Sequence, residues 1–230
     1  SVVGARAAYI GGFDGTSNVK AGYEYRINAS GTIAHSYIMS FDSEKEAFDK
    51  YLEVFPENSI MLVDTYDSLE AVRNLVSYKD KNIYGIRLDS GDLLYLSKEA
   101  RKILDNGGMQ KTKIIVSSDL NEYKIKDLLD NGAPIDAFGV GTELITSKDA
   151  PAMTGVYKLV EIKENGNNIQ KSKYSTEKQT YPGIKELYRI EKNSNYIKDI
   201  IAYNTEQYEG KKLLKPIFEK GRLVYSPPTL

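Results

Sequence analysis

The sequence predicts an α/β fold built on parallel strands, followed by a small β-rich segment at the C-terminal end. Two observations carry this prediction. Between residues 59 and 142, four short apolar runs each end in a polar turn that feeds a stretch with helical spacing of its apolar residues. After residue 162 the helical spacing stops, and short strand-like runs between turn residues replace it.

The four predicted strands recur at intervals of roughly 20 to 30 residues, which is the period of βαβ units in a parallel sheet. They are the runs 59–63, 83–88, 113–116 and 135–140. The helical stripes behind the first three begin near Leu69, Leu93 and Ile125. Glycines stop the second and third helices, at Gly107, Gly108 and Gly132.

The C-terminal part of the chain has a different pattern. Residues 163–180 are polar without a helical stripe, and we interpret them as a linker or an exposed hairpin. The runs 184–190 and 197–203 are strand-like, and Lys220 and Gly221 form a turn between two further short runs. Nothing in residues 163–230 indicates chemistry by itself.

The composition excludes several functional classes. The 31 basic and 32 acidic side chains nearly balance, which argues against nucleic acid as a partner. The absence of cysteine excludes disulfides and thiol chemistry, and the single histidine excludes multi-histidine metal sites. No apolar run approaches the roughly 20 residues that span a bilayer. We therefore expect a cytoplasmic protein with no membrane or nucleic-acid partner.

Polar residues follow each predicted strand, at the edge where parallel sheets place their chemistry. Asp64, Asp89, Asp119 and the turn 139–142 all fall at this edge and can converge on one site. Each of these residues taken alone suits a helix N-cap equally well. Both interpretations stay open for the individual residues.

Other short motifs also have two interpretations. His35 lies among small residues and hydroxyls in the segment 31–36, yet a lone histidine is more often structural than catalytic. The glycines of the turn 139–142 can offer backbone amides to a phosphate, or can simply make a tight turn. Thr16 and Ser17 belong either to a helix cap or to a ligand-binding loop.

Arg87 is unusual because strands of a buried parallel sheet normally carry apolar residues. A guanidinium near a strand end needs an anion. Either Asp89 supplies it in an internal pair, or a bound phosphate or carboxylate does. The residues alone favour neither.

Taken together, these segments resemble the nicotinate phosphoribosyltransferases. Matching stretches occur in order over nearly the whole chain, which is hard to obtain by chance. They are AAYIGGFDGTSNVKAG at 7–22, GTIAHS at 31–36, MLVDTYDS at 61–68, GIRLDSGDL at 85–93, IIVSSDLNE at 114–122, GAPIDAFGVGTELITSKDAP at 132–151, VYKLVEI at 156–162, YPGIKELYRI at 181–190 and KLLKPIFEKGRL at 211–222.

The resemblance implies a type II phosphoribosyltransferase with an irregular α/β barrel in residues 1–162. Residues 163–230 would be a linker and β-rich segment that packs with an N-terminal domain ahead of this chain. The implied reaction makes nicotinate mononucleotide and pyrophosphate from nicotinate and phosphoribosyl pyrophosphate, in NAD biosynthesis. It also implies Mg²⁺, coupling to ATP hydrolysis through a phosphohistidine, and a homodimer with shared active sites.

Individual residues match the family's motifs. His35 matches the phosphate acceptor, and Asp89 and Asp119 match carboxylates on the ribose side. The remaining matches are substrate-binding positions, namely Thr16, Ser17, Ser36, Arg87, Gly91, Gly139, Gly141 and Thr142. The metal ligands are not assigned.

The resemblance also bears on the choice of base. The related nicotinamide enzymes carry an acidic residue after the GT dipeptide, where this chain has Ser17. A carboxylate would repel nicotinate and a hydroxyl can donate to it, so nicotinate is favoured. The alternatives are a nicotinamide phosphoribosyltransferase and a non-catalytic phosphate-binding remnant. We further expect this chain to be truncated at both ends and inactive alone.

Overall fold

The structure is a computed structural model that describes residues 2–146, 155, 157–174, 179–226 and 228. The chain divides into two compact units. The first comprises Ser1–Leu159 with Ser172–Thr180, and the second comprises Val160–Lys171 with Tyr181–Leu230. The predicted domain division between residues 162 and 163 stays a prediction.

The first unit is mixed α/β. Its helices are α1 (Val2–Ile10), α2 (Val19–Tyr25), α3 (His35–Met39), α4 (Glu44–Val54), α5 (Ser68–Leu75), α6 (Leu93–Asn106), α7 (Glu122–Asp130) and α8 (Thr142–Ile145), with a 3-10 turn at Val76–Tyr78. Its strands are β1 (Ile60–Leu62), β2 (Gly85–Leu88), β3 (Lys113–Val116) and β4 (Ala137–Phe138).

The four strands form one parallel sheet in the order β1-β2-β3-β4. Leu62 is in register with Arg87, Leu88 with Val116, and Val116 with Phe138. The four predicted strands and their parallel arrangement are therefore confirmed, although the ladders are mostly shorter than the apolar runs. The described sheet has four strands, and closure into a barrel stays a prediction.

Side-chain caps start most of the helices around this sheet. In each case an N-cap oxygen accepts a hydrogen bond from the backbone N–H three residues further on, which satisfies one of the helix's free donors. The caps are Asn18, Ser43, Asp67, Asp92 and Asn121. The sequence left a capping role open for Asp64, Asp89 and Asp119, but the caps that follow these strands are Asp67, Asp92 and Asn121.

The core lies between the sheet and its helices. Met61, Ile86, Leu88, Ile114 and Val116 on the strands are fully buried. They pack with buried residues of the helical stripes, among them Val72, Leu75, Ala100 and Leu104. Full burial of each such aliphatic side chain contributes about 1.5–3 kcal/mol, so this layer holds the carboxyl ends of the strands rigidly in place.

The second unit is built from antiparallel hairpins. Its strands are β5 (Glu161–Glu164), β6 (Asn167–Gln170), β7 (Lys185–Lys192), β8 (Asn195–Tyr203), β9 (Lys211–Lys212), β10 (Phe218–Glu219) and β11 (Arg222–Leu223). β5 pairs with β6, β7 with β8 and β9, and β10 with β11. β5 and β6 form a hairpin in the first part of residues 163–180, for which the sequence left a linker or an exposed hairpin open, and residues 175–178 lie outside the described ranges. The two strand-like runs and the turn at Lys220 and Gly221 are present.

No helix in the described ranges is both long and apolar enough to span a bilayer. The expectation of cytoplasmic localisation stays a prediction.

Candidate active site

Polar side chains from five parts of the first unit meet at the carboxyl edge of the sheet. We call this group the site cluster. It comprises Thr32, His35, Asp64, Thr65, Arg87, Asp89, Ser90, Ser117 and Lys173. Three consecutive strand ends, β1, β2 and β3, supply most of it, because parallel strands end at the same edge.

Arg87 is the basic centre of the cluster on β2. Its Nη2 lies 3.0 Å from Asp89 Oδ1, and its Nε donates to Ser117 Oγ at 3.0 Å. Its Nη1 donates to Thr32 Oγ1 at 2.6 Å. An internal carboxylate partner for Arg87 is thus present, which was one of the two interpretations of the sequence. The guanidinium ties β2, the β3 end and the segment ahead of His35 together.

Asp89 accepts hydrogen bonds from several groups at once. Ser117 Oγ donates to the same Oδ1 that faces Arg87. Burial raises the pKa of Asp89, but its polar contacts with His35, Ser117 and Arg87 outweigh burial and hold the pKa well below its usual range. The carboxylate is therefore ionised at neutral pH.

Asp64 is the most buried acid of the cluster, with 1% of its surface exposed. Its Oδ2 accepts the backbone N–H of Asp89 at 3.1 Å and the hydroxyl of Ser90. Its Oδ1 has no hydrogen-bond partner among the described residues and lies 4.0 Å from His35 Nε2. A buried unpaired oxygen is costly, so Asp64 places charge beside the imidazole at the expense of stability.

His35 is the first residue of α3 and lies between these carboxylates and a lysine. Its Nδ1 is 3.1 Å from Thr65 Oγ1, and its Nε2 is 3.0 Å from Lys173 Nζ. An ammonium can only donate, so in the neutral ring Nε2 accepts and Nδ1 carries the proton toward Thr65. Asp89 Oδ2, at 3.7 Å from Nε2, is within ion-pair distance when the ring is protonated.

Lys173 is the main correction to the sequence analysis, which found no chemistry in residues 163–230. Its side chain is 4% exposed, and its Nζ lies 3.8 Å from Asp64 Oδ2 as well as beside His35. Its backbone N–H donates to Thr180 Oγ1, which anchors the segment. No spacing in this lysine-rich stretch distinguishes Lys173 from its neighbours, so only the tertiary structure reveals it.

The structure brings together three of the predicted site residues, His35, Arg87 and Asp89. Gly139 lies beside Ser117 of the site cluster, because a Cβ on this glycine would be 3.3 Å from Ser117 Cβ. Gly141 and Thr142 follow at the start of α8 and are exposed. The glycine turn therefore borders the site cluster without a described hydrogen bond to it.

Of two further predicted residues, Gly91 lines a cavity, and Asp119 lies in sequence between two of its lining residues, Ser118 and Leu120. Asp119 is exposed with φ +47°, and its carbonyl accepts a hydrogen bond from Lys124 Nζ. Gly91, with φ +80°, lines a cavity of about 400 Å³ together with Ser118 and Lys124. In the part of the chain that the structure describes, no hydrogen bond or ion pair joins the Asp119 carboxylate to the site cluster.

The remaining predicted residues lie elsewhere in the first unit. Thr16 pairs with Ala29, and its Oγ1 accepts the N–H of Asn18 at 3.0 Å at the start of α2. Ser17 is exposed beside it, and Ser36 is exposed on α3. Within the described ranges, none of these three forms a hydrogen bond with the site cluster.

The described residues do not fit a resident metal ion. Among them, no group of three or more His, Asp or Glu side chains is arranged to hold one. Mg²⁺ is commonly bound through one or two carboxylates plus substrate phosphates, without a protein cage. The prediction of Mg²⁺ stays a prediction.

The fold and the site cluster define an α/β protein with a charged site at the carboxyl edge of a parallel sheet. Two cations and an imidazole there suit a phosphate-bearing ligand. The model of the nicotinate phosphoribosyltransferase (NAPRTase) family matches residues 2–221. The chain belongs to this family.

Individual relatives agree with this assignment. A nicotinate phosphoribosyltransferase of Bacillus subtilis is 45% identical over 260 residues, covering 99% of this chain and 53% of the relative. A similar protein of Mycobacterium tuberculosis is 39% identical, covering 98% of this chain and 49% of its own length. The chain thus spans about half the length of these relatives.

A solved structure gives the same result for the fold. The crystal structure of nicotinate-nucleotide pyrophosphorylase from Pyrococcus furiosus has a TM-score of 0.56 to this chain at 31% identity. The alignment covers 97% of this chain and 57% of that one. The described α/β arrangement is therefore a fold of this family.

Proposed function

We propose that the intact protein transfers the 5-phosphoribosyl group from phosphoribosyl pyrophosphate to nicotinate, in NAD biosynthesis. The products are nicotinate mononucleotide and pyrophosphate. Family membership supports the reaction class. The placement of His35 between Lys173 and two carboxylates is the observation that carries the proposal.

In this proposal His35 accepts a phosphoryl group from ATP. An imidazole nitrogen attacks the γ-phosphorus, the N–P bond forms, and the P–O bond to ADP breaks with its electron pair on ADP. Lys173 lies 3.0 Å from Nε2 and would neutralise the arriving phosphoryl oxygens. Water later takes the phosphoryl group, which returns the imidazole.

Charged groups of the site cluster also suit the charges that develop on the substrate during ribosyl transfer. Breaking the bond between ribose C1 and pyrophosphate leaves positive charge on the sugar and negative charge on the leaving group. Asp89, which is ionised, and Asp119 suit the ribose side, and Arg87 suits the phosphates. Gly91, Gly139, Gly141 and Thr142 would offer backbone and hydroxyl donors to the 5-phosphate.

The remaining parts of the proposal concern the base and the assembly. Thr16, Ser17 and Ser36 would contact the substrates, with the Ser17 hydroxyl favouring nicotinate over nicotinamide. Mg²⁺ would arrive with the phosphates of the substrates. We also propose that the sheet belongs to an irregular α/β barrel and that a homodimer with shared sites acts in the cytoplasm.

Substrate dependence tests this proposal directly. We expect pyrophosphate release only when nicotinate, phosphoribosyl pyrophosphate and Mg²⁺ are all present, with nicotinamide a poor substitute for nicotinate. Equal turnover of the two bases would instead support the nicotinamide enzyme. Binding of phosphoribosyl pyrophosphate with no turnover of either base would support a non-catalytic phosphate-binding protein.

A further inference from the structure

Thr32 is a residue of the site cluster that the proposed reaction does not use. It is half-buried and lies three residues ahead of His35, within residues 31–36, which we call the His35 segment. Its Oγ1 accepts a hydrogen bond from Arg87 Nη1 at 2.6 Å, and its hydroxyl donates to the carbonyl oxygen of Ile33 at 3.3 Å. The hydroxyl therefore connects a charged group of β2 to the chain just ahead of the imidazole.

The start of α3 depends on contacts from outside the helix. α3 has only five residues, and its N-cap Ala34 makes no side-chain capping hydrogen bond. A helix start without a side-chain cap does little to fix its own position. Ile33 packs against the core, and its carbonyl oxygen lies 3.4 Å from Arg87 Nη1. Arg87 is therefore one of the anchors of the His35 segment.

The other side-chain contacts of Arg87 are to the edge of the sheet. Its Nη2 pairs with Asp89, directly after β2, and its Nε donates to Ser117, directly after β3. Among these three described side-chain partners of Arg87, only Thr32 belongs to the His35 segment. The Thr32 hydroxyl is thus where a movement of the guanidinium would reach that segment.

A phosphate bound to Arg87 would change this contact. A phosphate oxygen is charged, so it forms a stronger hydrogen bond with a guanidinium N–H than a neutral hydroxyl does. It would compete with Thr32 for the Nη1 protons and draw the guanidinium toward the ligand. The hydrogen bond between Arg87 and Thr32 would then be stronger without the phosphate than with it. Coupling between two sites requires a difference of this kind between two states.

We propose that Thr32 is a positioning residue that links Arg87 to His35, so that a phosphate at Arg87 and a phosphoryl group on His35 influence each other through the Thr32 hydroxyl. This inference rests on the proposed function, which places the phosphates of phosphoribosyl pyrophosphate at Arg87 and the phosphoryl group of ATP on His35. Coupling of this kind is reciprocal, so each group changes the equilibrium of the other by the same factor.

The coupling factor between the two sites tests this proposal. In the intact protein with Mg²⁺ and without nicotinate, the phosphorylated fraction of His35 is measured at a fixed ratio of ATP to ADP, with and without phosphoribosyl pyrophosphate. We expect phosphoribosyl pyrophosphate to change the equilibrium constant for phosphorylation at least about fivefold in the wild type. Thr32→Val has nearly the same shape but no hydroxyl, so the change should be less than about twofold.

Matched variants separate this role from a structural one. Thr32→Ser keeps the hydroxyl and should keep the wild-type coupling factor, which a loss of packing alone would not explain. Thr205→Val makes the same change at an exposed turn of the second unit and should leave the factor unchanged. Melting temperatures check that each variant folds, and Thr32→Ala replaces Thr32→Val if the latter does not fold.

The outcomes distinguish the inference from the proposed function. A wild-type coupling factor in Thr32→Val, or wild-type phosphorylation that does not respond to phosphoribosyl pyrophosphate, would overturn the role of Thr32 alone. A folded Thr32→Val that is never phosphorylated would place the hydroxyl in the phosphorylation site itself and would also overturn the linking role. Wild-type protein that never becomes phosphorylated at His35 would overturn both.

Discussion

At the scale of single residues, the site depends on a buried lysine. Lys173 is almost fully buried and lies beside Asp64, whose other oxygen already lacks a partner. Its ammonium therefore offsets a carboxylate that would otherwise be an uncompensated buried charge. The same ammonium is 3.0 Å from His35 Nε2, so stability and the proposed chemistry share one group.

Replacing this lysine should therefore affect both properties. We expect Lys173→Gln to lower the free energy of unfolding by about 3–5 kcal/mol, because Asp64 loses its cation. Phosphorylation of His35 should be lost as well. Urea unfolding and phosphate labelling measure the two effects. Lys198→Gln, at an exposed position of β8, is the control and should change neither. A fully active Lys173→Gln would contradict the role of the amine.

The sequence predicted part of this site at residue level. His35, Arg87 and Asp89 are polar residues in conspicuous settings, and the structure brings them together. Lys173 was missed because more than a hundred residues separate it from His35 and nothing local marks it. Asp64 was placed at the right edge of the sheet, but its burial could not be read from a strand-end position.

At the scale of elements, apolar runs predicted the sheet because most residues of β1, β2 and β3 are buried or half-buried. β3 matches its run of 113–116. The run 135–140 yields only the two residues of β4, Ala137–Phe138. Ahead of that strand, the Asp136 carboxylate accepts the N–H of Ile114 at 2.9 Å and pairs with Lys113. Apolar periodicity does not reveal this side-chain interaction, so the apolar run predicted a longer strand than the structure contains.

Close packing within the sheet gives a prediction at this scale. A Cβ on Gly85 would lie 2.6 Å from Ile115 Cδ1 and 2.9 Å from the carbonyl oxygen of Lys113. Since that oxygen belongs to the neighbouring strand, Gly85→Ala should push β2 and β3 apart and destabilise the fold by about 1–3 kcal/mol. Thermal unfolding measures the change. Gly31→Ala, where nothing lies within 4 Å of the new Cβ, is the matched control. Equal melting temperatures for the two variants would contradict the packing argument.

At the scale of the whole molecule, the order of elements was predictable and the long-range arrangement was not. Periodicity distinguished the α/β part from the β-rich part because helical and strand spacing differ locally. It did not reveal that Ser172–Thr180 belongs to the first compact unit while the residues on both sides belong to the second. Because this short segment belongs to the first unit, Lys173 lies beside His35.

Phosphorylation of His35 is the most direct test of the account. The chain has one histidine, so an acid-labile label transferred from ATP to an imidazole has one destination. Incubation of the intact protein with γ-labelled ATP, followed by peptide mapping, should place the label on His35. The label should be absent from His35→Ala. ATP should also no longer stimulate the synthesis of nicotinate mononucleotide by this variant. Unchanged ATP coupling in His35→Ala, or label on another residue, would contradict the account.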